Sequence, residues 1–153
     1  MFHLVLYEPD IPQNFGACLR LSACMGCMVH VVEPCGFPLD DKKLKRAAMD
    51  YYDLARWQRH QSWDAFLAHR AANPGRLLLL ETDGAATYTD FSFLPSDYIV
   101  LGRESAGTPR ALYAQMDGTL TIPMREGVRS LNVAMAAGML VAEAARQSGW
   151  RFA

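Results

Sequence analysis

The sequence predicts an α/β fold: a mostly parallel sheet with helices on both faces. Three observations carry that expectation. Leu77-Leu78-Leu79-Leu80 and Tyr98-Ile99-Val100-Leu101 are short unbroken apolar runs, the form strands take when both faces of a parallel sheet are covered. Phe2 to Leu6 reads as a strand, Pro12 to Met25 as a helix and Met28 to Val32 as a second strand, which together make a βαβ opening. Strand and helix patterns then keep alternating toward the C-terminus, as in an α/β layer fold.

Pro12 sits where a first helical turn tolerates proline. Asp40 to Tyr51 is helical and basic in its middle, and Trp57 is flanked by weak strand signal. Ser62 to Ala71 has a Ser cap and Asp64 in its first turn. Beyond the two apolar runs, Pro109 to Ala114 suggests a short helix, Thr119 to Ile122 a last strand, and Leu131 to Gln147 a long final helix. No repeat, low-complexity tract or linker interrupts the chain, so residues 1–153 read as one domain.

Composition narrows the classes. Hydrophobic residues are 51% of the chain and charged ones 20%, with Lys+Arg 15 against Asp+Glu 16 and a net charge of -1. That balance excludes disorder and a basic arm, so any nucleic acid must be met by a local patch. Met1 to Pro9 shows no basic leader before its apolar run, and no segment has the apolar length of a membrane span. A soluble, cytoplasmic protein is expected. The four cysteines are Cys18, Cys24, Cys27 and Cys35, and Cys24-Met25-Gly26-Cys27 has redox or half-zinc spacing. No second CxxC follows, and Cys18 and Cys24 lie in an apolar helical pattern, so buried structural thiols and no metal are expected.

Open parallel sheets bind ligands at the carboxyl ends of their strands. Three turns qualify: Glu81-Thr82-Asp83-Gly84, Gly102 to Pro109, and Pro123 to Ser130. Gly102 and Gly107 have Walker A spacing, but Thr108-Pro109 replaces the required Lys-Ser/Thr, and GxGxxG is missing. The third turn ends at Ser130, a good N-cap for a helix starting Leu131-Asn132. That helix is apolar on every face, which fits either a homodimer seam or a fully internal helix.

On a wheel of about 100° per residue, Asn14, Cys18, Leu21 and Met25 form one stripe of the first helix and Gly16, Arg20 and Ala23 lie opposite. Arg20 is then a lone charge with small neighbours: either a solvated arginine or one cleared for an anionic or polar substrate. Lys42, Lys43 and Arg46 share a helical face, a solvated face or a phosphate-contacting patch, with Tyr51, Tyr52 and Trp57 near in sequence.

These residues fall into the motifs of a known family. Leu6-Tyr7-Glu8-Pro9, Ile11-Pro12-Gln13-Asn14-Phe15-Gly16 and Arg20 come first, then Glu33-Pro34, Gly36-Phe37 and Asp41-Lys42. Leu101-Gly102-Arg103-Glu104-Ser105-Ala106-Gly107 follows, and Ile122-Pro123-Met124 and Arg129-Ser130-Leu131-Asn132-Val133 close the series. Over nearly its full length the chain resembles the SpoU-type RNA ribose 2'-O-methyltransferases of the SPOUT superfamily, above all the small tRNA enzymes that modify the wobble nucleotide.

The resemblance implies S-adenosyl-L-methionine as methyl donor, tRNA as substrate, a homodimer through the C-terminal helix and a C-terminal deep trefoil knot. It implies methylation of the wobble ribose, on cytidine or modified uridine, of leucine tRNAs. Carried over residue by residue, Leu80, Thr82, Gly102, Ile122, Met124, Ser130 and Leu131 would line the cofactor site and Arg20 would act in catalysis. Lys42, Lys43, Arg46 and Arg129 would contact the tRNA, and Glu104 would order the cofactor loop. The other reading is a non-catalytic RNA-binding or cofactor-sensing dimer on the same fold, or an enzyme for another RNA site.

Overall fold

A computed structural model describes residues 2–149. The strands are β1 (His3–Tyr7), β2 (Met28–Val32), β3 (Arg56–His60), β4 (Leu77–Leu80), β5 (Ala86–Thr87), β6 (Tyr98–Leu101) and β7 (Gly118–Thr121). They form one sheet in the order β3-β2-β1-β6-β4-β7-β5, parallel at every pairing. The helices are α1 (Pro12–Met25), α2 (Asp41–Ala48), α3 (Trp63–Ala72), α4 (Arg110–Tyr113) and α5 (Val133–Gln147).

Strand alternation sorts the core into two layers. Leu4, Leu6, Val29, Val31, Leu78, Ile99, Leu101 and Leu120 join Phe15 and Leu19 of α1 and Ala137 and Leu140 of α5 on one face. Val5, Tyr7, Val32, Leu79, Tyr98 and Val100 meet Phe66 of α3 on the other.

Local chemistry sets the helix ends. Asp40 accepts from the Lys42 backbone N–H at 2.8 Å and Ser62 from that of Ala65 at 3.1 Å. Asp40 to Tyr51 is not one helix: α2 stops at Ala48, Met49 takes φ 52°, and a 3-10 turn runs to Tyr51. The last helix starts two residues later than expected, because the cap is Asn132 rather than Ser130. Its Oδ1 accepts from the backbone N–H of Ala134 at 2.9 Å and of Met135 at 3.2 Å.

α1 also differs from the wheel reading. Its buried face includes Phe15, Gly16, Leu19 and Ser22. Gly16 lets α2 approach: a Cβ there would lie 2.7 Å from the Ala47 carbonyl oxygen. Cys18 and Cys27 are buried, and burial pushes their thiols up to about 12 and about 11. Cys24 is exposed, so the expectation of burial fails there.

α5 is neither fully internal nor bare. Ala136, Ala137, Leu140, Val141, Ala144 and Ala145 are buried within the chain, while Met135 is 63% exposed and a Cβ on Gly138 would meet nothing within 4 Å.

The α3 face of the sheet carries a polar seam. His30 lies opposite Val5, and His60 opposite Val32, so the file His3, His30, His60 steps diagonally over three strands. His3 Nδ1 is 3.0 Å from His30 Nε2, and His30 Nδ1 is 2.9 Å from His60 Nε2. Tyr98 stacks on His3 at 4.2 Å between ring centroids, and the His69 ring lies 5.0 Å from that of His30. Burial lowers His3 to about 4, His30 to about 3 and His60 to about 4, so the rings are neutral and share one proton per contact.

Candidate functional site: a cavity at the carboxyl ends of the strands

The loops after β1, β4, β6 and β7 surround a cavity of about 530 Å³, within the range of small-molecule sites. Leu80, Glu81 and Thr82 come from the end of β4, and Leu101 to Glu104, Ala106 and Gly107 from the end of β6. Ile122, Met124 and Arg129 to Val133 follow β7, and Ile11 and Asn14 come from the start of α1. Leu80, Thr82, Gly102, Ile122, Met124, Ser130 and Leu131 therefore line one cavity, with Arg129 beside them.

The loop after β6 is closed on itself. Arg103 N–H donates to the Gly107 carbonyl at 3.1 Å, and Gly107 N–H returns to that of Arg103 at 2.8 Å. A Cβ on Gly102 would lie 2.6 Å from both the Gly107 carbonyl carbon and Thr108 Oγ1. The need for glycine at 102 thus arises first inside the loop, and a larger residue would deform the turn before it met any ligand.

Charged side chains pin this loop to the start of α1. Arg103 Nη1 donates to Glu8 at 3.2 Å and Nη2 to Asp10 at 3.0 Å. Ser105 donates to Asp10 through its backbone N–H and its hydroxyl. The Ser105 and Arg103 hydrogen bonds hold the Asp10 carboxyl below its ordinary range. Glu104 accepts from the Asp10 N–H at 2.8 Å and from Asn14 Nδ2 at 3.1 Å, while Asn14 Oδ1 accepts from Asn132 Nδ2 at 2.8 Å. Glu104, Asn14 and Asn132 thus form one chain joining the β6 loop, α1 and the cap of α5.

The remaining candidates lie elsewhere. Arg20 is exposed, does not line the cavity, and is not bounded only by small residues: its guanidinium carbon sits 4.6 Å over the Tyr51 ring centroid. Lys42, Lys43 and Arg46 are exposed on α2. The sequence reading overlooked the bonding of Asn14 and Asn132, although a polar Asn14 on an otherwise apolar stripe was an available signal. Among the described residues no group of three or more His, Cys, Asp or Glu could hold a metal ion, and no helix is long and apolar enough to cross a membrane.

The sequence profile described as the SpoU rRNA Methylase family matches residues 1–142. The chain belongs to this family. A tRNA (cytidine(34)-2'-O)-methyltransferase of Beijerinckia indica subsp. indica is 50% identical over 146 residues, 95% of this chain and 91% of the relative. One from Burkholderia pseudomallei is 42% identical over 152 residues, 98% of this chain and 97% of the relative. A solved structure described as "Structural insights into the 2-OH methylation of C/U34 on tRNA" superposes with a TM-score of 0.92 at 41% identity, covering 99% of this chain and 98% of its own. The SpoU methyltransferase AviRb of Streptomyces viridochromogenes, crystallised with AdoMet, superposes with a TM-score of 0.84 at 28% identity, covering 95% of this chain and 57% of its own.

Proposed function

We propose that the protein is an S-adenosyl-L-methionine-dependent methyltransferase acting on the ribose 2'-hydroxyl of the wobble nucleotide, position 34, of tRNA. The observation that carries this reading is 42–50% identity over nearly the whole chain to tRNA (cytidine(34)-2'-O)-methyltransferases. The cavity fits the donor on its own evidence: it is a part-apolar cleft at strand ends, formed by backbone that closes tightly at Gly102, with polar groups at its rim. When bound, S-adenosyl-L-methionine supplies an electrophilic sulfonium methyl group.

The chain's own residues then have separable tasks. Leu80, Leu101 and Ile122 offer apolar surface to the nucleoside, and Gly102, Thr82, Met124, Ser130 and Leu131 shape the walls around it. The Glu104–Asn14–Asn132 chain holds three loops in register, which is the positioning an in-line transfer requires. Arg20 meets the attacking 2'-oxygen. A guanidinium with a pKa above about 12 is a poor base, so its task is to stabilise the developing alkoxide. Because Arg20 stands outside its own chain's cavity, the working unit is a homodimer packed on the exposed face of α5, in which one copy's arginine serves the other's cavity.

Lys42, Lys43 and Arg46 on α2 and Arg129 at the cavity rim contact tRNA phosphates, a local answer to a net charge of -1. The leucine tRNAs are the substrates and the cytoplasm is the place of action. The segment after β7 forms the deep trefoil knot; its course from Ile122 past Asn14 to the cap of α5 supports that reading. The test is transfer from labelled S-adenosyl-L-methionine to purified tRNA, followed by nuclease mapping of the 2'-O-methyl group. Label at another nucleotide, or none, refutes the assignment.

A further inference from the structure

Four charged side chains line the cavity, Glu81, Arg103, Glu104 and Arg129, and two of them are already engaged, although Arg103 Nε is buried without a partner among the described residues. Arg103 is engaged by Glu8 and Asp10, and both oxygens of Glu104 are taken by the Asp10 N–H and Asn14 Nδ2. Glu81 is only half satisfied. Its Oε1 accepts from the Thr108 N–H at 2.9 Å, and its Oε2 has no hydrogen-bond partner among the described residues. The carboxylate is nevertheless fixed in place. Its backbone N–H bonds the Leu120 carbonyl at 3.0 Å, which ties the residue to β7. Across the cavity wall stands Gly107 at φ 65°, where a Cβ would sit 3.2 and 3.5 Å from the two carboxylate oxygens. A glycine therefore leaves room for a carboxylate with one oxygen clamped and the other left over.

The position of Glu81 says what that oxygen accepts from. It follows Leu80, which pairs with Leu101 on one side and Leu120 on the other, so it rises at the edge of an apolar floor that Ile122 extends. A flat nucleobase belongs on such a floor. The sugar is one bond from the base, so its hydroxyls come down beside the floor. An acidic side chain at the carboxyl end of a parallel strand is a general solution for holding ribose hydroxyls, and a vicinal diol offers a carboxylate two donors without adding charge.

We infer that Glu81 is the ribose-reading residue of the cavity, its free carboxylate oxygen accepting from the 2'- and 3'-hydroxyls of the bound nucleoside. This inference rests on the cavity being the S-adenosyl-L-methionine site, and it adds the contact that selects a ribonucleoside. Glu81 is here a binding residue, distinct from any group that acts on the transferred methyl.

The test is a cycle between protein and ligand, read by calorimetry without turnover. The probes are S-adenosylhomocysteine and its 2',3'-dideoxy analogue, titrated into wild type, Glu81→Gln and Glu81→Ala. The Gln variant keeps a carbonyl for the Thr108 N–H, and thermal melts check that both variants fold. Removing the hydroxyls should weaken binding to wild type roughly tenfold to a hundredfold, the range for hydrogen bonds to a charged group. Each variant should weaken the parent nucleoside by a similar factor, and the two losses should not multiply. Equal affinity of wild type for both nucleosides overturns the inference, and so do losses that multiply. Because the wild-type comparison needs no variant, the inference stays open to refutation even if both variants misfold. A wild type that binds neither nucleoside overturns the cofactor reading and this inference with it, whereas multiplied losses overturn the inference alone.

Discussion

Asn14→Ala removes the middle of the bond chain that joins three loops. Asn14 is 7% exposed, whereas Glu104 is half-buried and Asn132 exposed, so water takes over part of what each partner loses. Its amide nitrogen donates to Glu104 at 3.1 Å, a bond to a charged acceptor, and its oxygen accepts from Asn132 at 2.8 Å. Counting about 1.5–3 kcal/mol for the first and about 0.5–1.5 for the second, the loss is about 2–4.5 kcal/mol. For a domain of this size that lowers Tm by roughly 4–18 °C, at about 2–4 °C per kcal/mol. The loss should extend to function, because Glu104 then holds the β6 loop only through the Asp10 N–H and the cap of α5 is released. Asn14→Asp sharpens the comparison by placing a second carboxylate against Glu104; it should be the worse variant at pH 7 and recover partly as the pH falls. Thermal melts and calorimetry with S-adenosylhomocysteine provide both readings. A shift below about 2 °C with unchanged affinity would show that the chain does not couple the loops.

Three further outcomes are expected. Arg20→Ala should lose roughly two to four orders of magnitude in transfer rate with saturating tRNA and cofactor; Tm should move little, since only an exposed stack on Tyr51 is lost. Ala137 has no exposure, so Ala137→Glu should unfold the chain itself, whereas Gly138→Glu, pointing into open space, should leave a folded protein that sediments as a monomer. Stability should fall as pH drops from about 6.5 toward about 4: the unfolded chain takes up protons that the buried His3, His30 and His60 refuse, at about 1.4 kcal/mol per pH unit for each proton. Chemical denaturation at stepped pH should show this slope, and His30→Leu should flatten it.

The sheet and the three turns that surround the cavity were legible because they rest on local signals. Leu77 to Leu80 and Tyr98 to Leu101 could hardly be other than covered strands, and the strand ends point to the turns that follow them. What escaped was set by partners distant in sequence. β3 reads Arg56-Trp57-Gln58-Arg59-His60, which showed only weak strand signal around Trp57, and it is a strand because β2 supplies its pairing. The cap of α5 falls on Asn132 rather than Ser130 because Asn132 also reaches Asn14, 118 residues away. Gly16 and Arg20 were placed on a bare face because a helical wheel cannot show that α2 packs there and that Tyr51 covers the arginine. The histidine file could not be read at all, since its members come from three strands and a helix.

The central claim is that this cavity serves methyl transfer to one ribose. Purified protein should be incubated with labelled S-adenosyl-L-methionine and unmodified leucine tRNA, and the methylated nucleotide located by alkaline hydrolysis and sequencing. The account predicts a single labelled alkali-resistant linkage after nucleotide 34, and no label transferred to a tRNA carrying a 2'-deoxynucleotide there. Label on a base, at another ribose, or undiminished on the deoxy-substituted tRNA would contradict it.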